Sequence, residues 1–477
     1  MIIRSCKSGF FALMIVATWA NSAHTDDIDV WVGQRIMPRL NCQPMIGNRP
    51  VPNHFLEMPA EVLQVNGHWL WIGRAWVRKS DVVPLDSALA YYSAALTTGF
   101  ARSTMLKCRG VVWKTRGDLD KALTDLNEAI RLQPDYAGAY CIRGTIWSVR
   151  QDLDRALADY AQAIRFDPSL PAAYQNRGAI WSSRGEFDRA LEDLNKAIQL
   201  DPGRNRTWFL RGAVREMTGD FDNAAIDYTE AIRLVPADAA AWLCRGIVRG
   251  HKGELQSALA DFTEAIRLDP NNHMAYSNRG VSWCDLGDFE KAILDFDAAI
   301  RIYPRHAHAY CCRGNAHFEL GQNDKAVADY TMAIEFDLKT SVAHNNRAGI
   351  RMMTGDVAGA LEDLEQAVLI EPHDESAHCN RARVWATTTH DSFRDGKRAV
   401  ESATKACELT DWKNPETLAV LAAAHAEAGN FEAAVKWQAR AIELAADDES
   451  LELPSRLDLY KSGKPYRDDL KNWNRER

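Results

Sequence analysis

Ala173-Tyr-Gln-Asn-Arg-Gly178 opens a stretch that runs on through Trp181, Gly185, Ala190 and Ala197 to Pro202. The same skeleton returns every 34 residues, eight times without a gap, from Ser103 to Asp374. Gly178 is matched by Gly110, Gly144, Gly212, Gly246, Gly280 and Gly314, and by Ala348 in the eighth unit. Ala190 is matched by Ala122, Ala156, Ala224, Ala258, Ala292, Ala326 and Ala360. Ala197 is matched by Ala129, Ala163, Ala231, Ala265, Ala299, Ala333 and Ala367. The spacing predicts two helices per unit. Gly178 and Ala190 are small and let the two approach closely. Gly185 can take the left-handed conformation that ends the first helix. Glu186 and Asp188 suit the positive start of the second, and Pro202 stops it. Tyr174, Trp181 and Leu194 are expected to supply buried bulk. Two short helices cannot bury their apolar faces alone, so neighbouring units must stack.

The period and the small-residue positions together resemble the tetratricopeptide repeat. That resemblance implies an all-α protein, a right-handed superhelical α-solenoid of helical hairpins. A ninth unit begins at Glu375 and runs to residue 414. Its Ala399 and Ala406 lie five residues late, with the extra residues in Thr387 to Asp395. A tenth unit (415–448) has Gly429, Ala434 and Ala441 in register. Leu85–Thr98 reads as a lone helix ahead of the first unit, capping the array together with the segment to residue 102. The charged tail, 449–477, is expected to cover the other end.

One departure from the family pattern is informative. The residue before the glycine is usually leucine in the family, and here it is arginine in nine units, as at Arg177, Arg211, Arg245 and Arg279. Sixteen residues later stands aspartate in eight units, as at Asp193, Asp227, Asp261 and Asp295. In the tenth unit both change together, to Leu421 and Trp437. The joint change predicts a structural ladder of bidentate Arg–Asp pairs between the two helices of each unit.

Residues 28–85 do not fit the repeat. Alternating apolar residues flank Asn66-Gly67, followed by Trp69-Leu-Trp-Ile72, Ala75-Trp-Val77 and Ser80-Asp-Val-Val83, a hairpin signal. The run resembles the C-terminal half of a bacterial SH3-like β-barrel, and the front half departs from it. Such domains bind peptides or cell-wall glycan stems, so the resemblance leaves open a wall-binding barrel or one that only caps the array. The N-terminus, 1–23, has the grammar of a signal peptide: Arg4 and Lys7, an apolar run from Phe10, then small Ala20, Ser22 and Ala23. The apolar run is about half of the ~20 residues needed to span a bilayer. An exported chain, periplasmic or secreted, is therefore expected, with no stable membrane span after signal removal. It would be membrane-anchored if the signal is retained.

Across 477 residues, 46% are hydrophobic and 26% charged, which excludes a largely disordered chain. A net charge of −8 argues against general nucleic-acid binding. Ten cysteines, nine after signal removal, do not make a disulfide framework over such a length. Cys108, Cys141, Cys244, Cys311, Cys312 and Cys379 recur at one point of the repeat and read as packing residues. The chain has no Gly-Lys-Ser/Thr phosphate loop, no His-Glu-x-x-His and no Gly-x-Ser-x-Gly. His306, His308, Cys311 and Cys312 invite a metal reading, but they fall on different faces of one helix start. Neither a cofactor nor a metal is expected, and no enzyme.

In the family the first helix of each unit lines the concave side. By position the inward residues are Gln175 and Ala179, Phe209 and Ala213, Leu243 and Ile247, Ser277 and Val281, Cys311 and Asn315, Asn345 and Gly349. Met217, His251, Phe318, Met352 and Met353 extend the wall. This semi-apolar set lacks the Lys and Asn of a carboxylate clamp and points to an apolar or extended peptide. The function expected is a non-catalytic scaffold or adaptor holding a protein or peptide. The alternative is an envelope-binding module, with the barrel on wall material and the repeats as spacer.

Overall fold

A computed structural model describes residues 33–39, 42, 44–46, 49–50, 59–66, 68–72, 75–99, 101–337, 339–445 and 453–468. The expected signal peptide lies outside these. The chain divides into two units, one ending at Ala241 and the other beginning at Trp242. Each is described by itself.

The first unit opens with short strands: β1 (Arg35–Pro38), β2 (Met45–Ile46), β3 (Arg49–Pro50), β4 (Ala60–Glu61), β5 (Gln64–Asn66), β6 (Trp69–Trp71), β7 (Trp76–Arg78) and β8 (Val82–Pro84). They form two antiparallel sheets, in the orders β4-β1-β8 and β3-β2-β7-β6-β5. Leu70 of β6 faces Val65 of β5 on one side and Val77 of β7 on the other. Ile36, Val62, Leu70, Val77 and Val82 share one small core. Among the described residues these sheets do not close into a barrel, which corrects the barrel expectation. Strands of two to four residues are too short to wrap a closed cylinder.

Helix α1 (Leu85–Thr97) follows directly. Four hairpins come next: α2 (Arg102–Thr115) with α3 (Leu119–Leu132), α4 (Ala137–Val149) with α5 (Leu153–Phe166), α6 (Pro171–Ser183) with α7 (Phe187–Leu200), and α8 (Asn205–Met217) with α9 (Phe221–Leu234). Within α1, Ala88, Tyr92 and Ala95 precede Ala122, Leu126 and Ala129 of α3 by one period of 34. Ala88 and Tyr92 are fully buried. Helix α1 is thus the second helix of a hairpin whose first helix is missing, and strands β6 to β8 occupy that stretch of chain. Met37 and Val83 from the strands join Ala88, Tyr92, Met105, Cys108, Val111 and Val112 in one core. The Tyr92 hydroxyl donates to the Pro38 carbonyl at 2.5 Å.

The unit boundary falls inside α10 (Ala239–His251), which pairs with α11 (Leu255–Leu268). Then come α12 (His273–Asp285) with α13 (Phe289–Ile302), α14 (Ala307–Glu319) with α15 (Asn323–Phe336), and α16 (Ser341–Thr354) with α17 (Val357–Ile370). The last pairs are α18 (Glu375–Thr387) with α19 (Gly396–Leu409) and α20 (Pro415–Glu427) with α21 (Phe431–Leu444), before a final α22 (Leu453–Lys461).

The small residues act as their spacing predicts. Gly185 sits at φ +75°, in the left-handed turn between α6 and α7. A Cβ on Gly246 would stand 2.6 Å from Cε1 and 2.8 Å from Cδ1 of Phe262, inside van der Waals contact. At the alanine-bearing eighth unit the facing residue is Leu364, which yields to a methyl where a ring does not. Gly246→Ala is therefore expected to lose about 1–2 kcal/mol net, overpacking outweighing the helix-propensity gain. A urea midpoint equal to that of the parent chain would show that the Phe262 ring moves aside freely.

Candidate functional site: the inner helices and the arginine ladder

The same guanidinium geometry recurs in eight hairpins. Arg177 Nε and Nη2 donate to the two carboxylate oxygens of Asp193, both at 2.8 Å. Arg211 grips Asp227 at 2.9 and 2.7 Å, Arg245 grips Asp261 at 2.9 and 2.8 Å, and Arg279 grips Asp295 at 2.8 and 2.7 Å. Arg109–Asp125, Arg143–Asp159, Arg313–Asp329 and Arg347–Asp363 repeat it. The aspartates are buried and the arginines mostly half-buried. In the ninth hairpin Arg381 meets the Ser402 hydroxyl instead, at 3.2 Å.

In five hairpins a third bond ties the ladder arginine to the hairpin before. Nη1 of Arg143 donates to Asn127 at 2.7 Å, and Nη1 of Arg211 to Asn195 at 2.6 Å. Farther along, Arg279 reaches Thr263 at 3.1 Å and Arg347 reaches Thr331 at 2.9 Å, while Arg313 bonds Asp297. Arg109 uses Ser93 of α1 at 3.4 Å, where a preceding hairpin would have supplied the acceptor.

Four residues after the ladder arginine a second signal appears that periodicity alone did not single out. The position is tryptophan in five hairpins, each under a basic side chain from the next helix. Lys121 lies over Trp113, Arg155 over Trp147, Arg189 over Trp181, Lys291 over Trp283 and Arg398 over Trp385, at 4.1 to 5.0 Å from the ring centres. Trp181 is half-buried: it packs on the core of Ala190, Leu194 and Val214 and carries a cation on its face, while Tyr174 is half-buried too and only Leu194 is fully buried bulk. In three hairpins the position is arginine, and the basic partner is replaced by Asn223, Ser257 or Gly359. There the second arginine turns inward to the ladder aspartate: Arg215 to Asp227 at 2.8 Å, Arg249 to Asp261 at 2.7 Å and Arg351 to Asp363 at 2.9 Å.

Of the inward residues in the first unit, Gln175 is buried and accepts from Thr207 Oγ1 at 2.8 Å, joining α6 to α8. Phe209 is half-buried against Tyr228, ring centres 5.5 Å apart, and Met217 is exposed. In the second unit Leu243, Ile247, Ser277, Val281, Asn315, Phe318, Asn345 and Met352 are buried, Met353 is half-buried and His251 is exposed. The amides form a seam between successive first helices. Asn315 Oδ1 accepts from Asn346 at 2.9 Å and Asn345 Oδ1 from Asn380 at 2.9 Å. Arg383 Nη2 meets Glu416 Oε1 at 2.6 Å. Most of the inward set is therefore buried between hairpins, and Phe209, Met217, His251 and Met353, with the small Ala179 and Ala213, remain as surface.

Tetratricopeptide repeat family profiles match at residues 115–171, 171–204, 245–307, 307–338 and 416–446. The chain is a tetratricopeptide repeat protein. Similar solved structures include YrrB, described as a tetratricopeptide protein with an unusual peptide-binding site. It is 27% identical, with 39% of this chain and 95% of that one covered and a TM-score of 0.36. MamA is 26% identical over 36% of this chain and 93% of its own, with a TM-score of 0.33. Yeast Tom70 is 17% identical over 79% and 92%, with a TM-score of 0.39. No curated protein matches the chain, and no SH3 family is identified in the β-region.

Tetratricopeptide arrays are generally protein–protein interaction scaffolds and typically non-catalytic. Among the described residues no disulfide joins the cysteines, and burial pushes the Cys141 and Cys407 thiols up to about 11 and those of Cys42 and Cys379 to about 12. Thiols held so high are poor nucleophiles at neutral pH. Among the described residues no group of three or more His, Cys, Asp or Glu has metal-holding geometry, and no helix is long and apolar enough to cross a membrane. His306 and His308 are close, but the neighbour of His306 on its other side is His273, with ring centres 5.0 Å apart. His306 Nε2 and His273 Nδ1 are buried without a hydrogen-bond partner. Burial and the neighbouring imidazoles drive the His306 pKa down to about 3.

Proposed function

We propose that the protein is an exported adaptor that holds a protein or peptide partner on the inner faces of its first helices. The supporting observation is chemical. The hairpins spend their arginines, aspartates and buried amides on joining one another. Phe209, Met217, His251 and Met353 are the large inward side chains left accessible. Aromatic and thioether surface of this kind suits an apolar or extended segment. Export is supported by Arg4 and Lys7 ahead of the apolar run from Phe10. The SH3-like resemblance of the β-region supports a contact with wall material as a secondary role.

The test is affinity capture from the exported fraction with the full chain, compared with Met217→Glu and Met353→Glu chains. A glutamate on an apolar contact should reduce retention of any genuine partner about tenfold or more. Equal retention by all three chains would rule out the inner faces as the binding surface. Co-sedimentation of the full chain with purified cell wall measures the secondary role.

A further inference from the structure

The ninth hairpin carries the one insertion in the array, and the C-terminal segment lies against it. Backbone at Thr388 and Asp468 pairs as a parallel β-bridge. The Asp468 amide donates to the Thr387 carbonyl at 2.8 Å. Arg467 donates to the Ala386 carbonyl at 3.3 Å and meets Glu427 Oε2 at 2.6 Å. Glu427 is fixed from the other side by Arg394 of the insertion, at 3.1 Å. Tyr466 packs on the C-terminal core beneath the Arg456 guanidinium, 4.2 Å from its ring centre.

Ala386 and Thr387 stand one period after Met352 and Met353. The tail thus covers the ninth hairpin's share of the inner wall. It does so as an extended strand, through two main-chain carbonyls, one carboxylate and one aromatic seat. We infer that residues 464–468 form a displaceable strap. It occupies in cis a station that takes an extended peptide bearing an aromatic residue followed by arginine. This deepens the proposed function and rests on the inner face being a peptide surface. The insertion has a reason on this view: it supplies Thr388 as the pairing edge and Arg394 to aim Glu427. Strand addition gives affinity through the backbone, and Arg467 gives selectivity.

The experiment compares the full chain with one ending at Gly463. The probe is a fluorescent synthetic peptide copying residues 464–471, followed by anisotropy. The shortened chain should bind it, and the full chain at least about tenfold more weakly, because a tethered segment competes at high effective concentration. An alanine at the arginine position of the peptide, or Glu427→Gln in the shortened chain, should weaken binding. Equal binding by both chains overturns the strap. So does failure of a shortened chain with unchanged helical circular dichroism to bind. Should the shortened chain misfold, full-length Arg467→Ala decides. Its Asp468 amide should exchange faster and its peptide affinity should rise, and no change in either overturns the idea. If capture retrieves no outside partner while the peptide still binds the shortened chain, the adaptor reading fails and the strap stands.

Discussion

Asp227→Ala should cost roughly 3–5 kcal/mol of stability, as expected when one partner of a buried ion pair is removed. The carboxylate is fully buried and accepts from two guanidinia, Arg211 and Arg215. Its loss leaves both half-buried cations facing a methyl group in place of a fully buried carboxylate. Asp193→Ala strands a single guanidinium and should cost less. Removing both partners is a different experiment. The tenth hairpin carries Leu421 and Trp437 at the two positions, with Trp437 stacked on Trp412 at 5.1 Å. Arg177→Leu combined with Asp193→Leu should accordingly be far milder than either single change. Urea denaturation followed by circular dichroism distinguishes these cases. An Asp227→Ala midpoint equal to the parent's would mean that the ladder contributes nothing to stability.

Acid should loosen the seam between the sixth and seventh hairpins through His306. An unfolded histidine titrates near 6.5, whereas this one is held near 3 by burial and by His273 and His308. Between those values the unfolded chain binds a proton that the folded chain refuses. Stability is therefore unaffected above about pH 6.5 and falls as pH is lowered toward 3. By pH 4.5 the loss from this group approaches about 3 kcal/mol, two pH units at 1.36 kcal/mol each. His306 precedes α14 without capping it by its side chain. One period earlier Asn272 caps α12, accepting from the Ala275 amide at 3.0 Å. His306→Asn should therefore stabilise the chain by up to about 1 kcal/mol above pH 6.5, the worth of a cap, and by more as the pH falls, because the acid slope flattens. If both chains lose stability in parallel between pH 6.5 and 4.5, another group carries the acid response.

How much of this was legible varied with the kind of constraint. The hairpins were, because Gly178, Ala190 and Ala197 are demanded by close approach, which admits only small residues, as Ala348 at the glycine position shows. The Arg–Asp contact was legible from Leu421 and Trp437, where both partners change together. The cross-hairpin bond was hidden because its acceptor is chemically loose: Asn127, Thr263, Asp297 and Thr331 all serve. Burial of the inner face was hidden for a related reason. Gln175, Asn315 and Asn345 are polar, and only the neighbouring hairpin shows that each amide has a buried partner. The β-region misled because alternation in Val65 to Val77 specifies pairing but not closure, and strands this short pair without closing.

The half-hairpin at α1 bears on where the molecule can be divided. Composition changes at Leu85, and a molecular biologist would cut there. Tyr92, however, is anchored to Pro38, and Met37 and Val83 share a core with Met105 and Val112. A cut at that border would bare one oily surface on each fragment. The β-region behaves as the opening course of the masonry, on which α1 and α2 are laid.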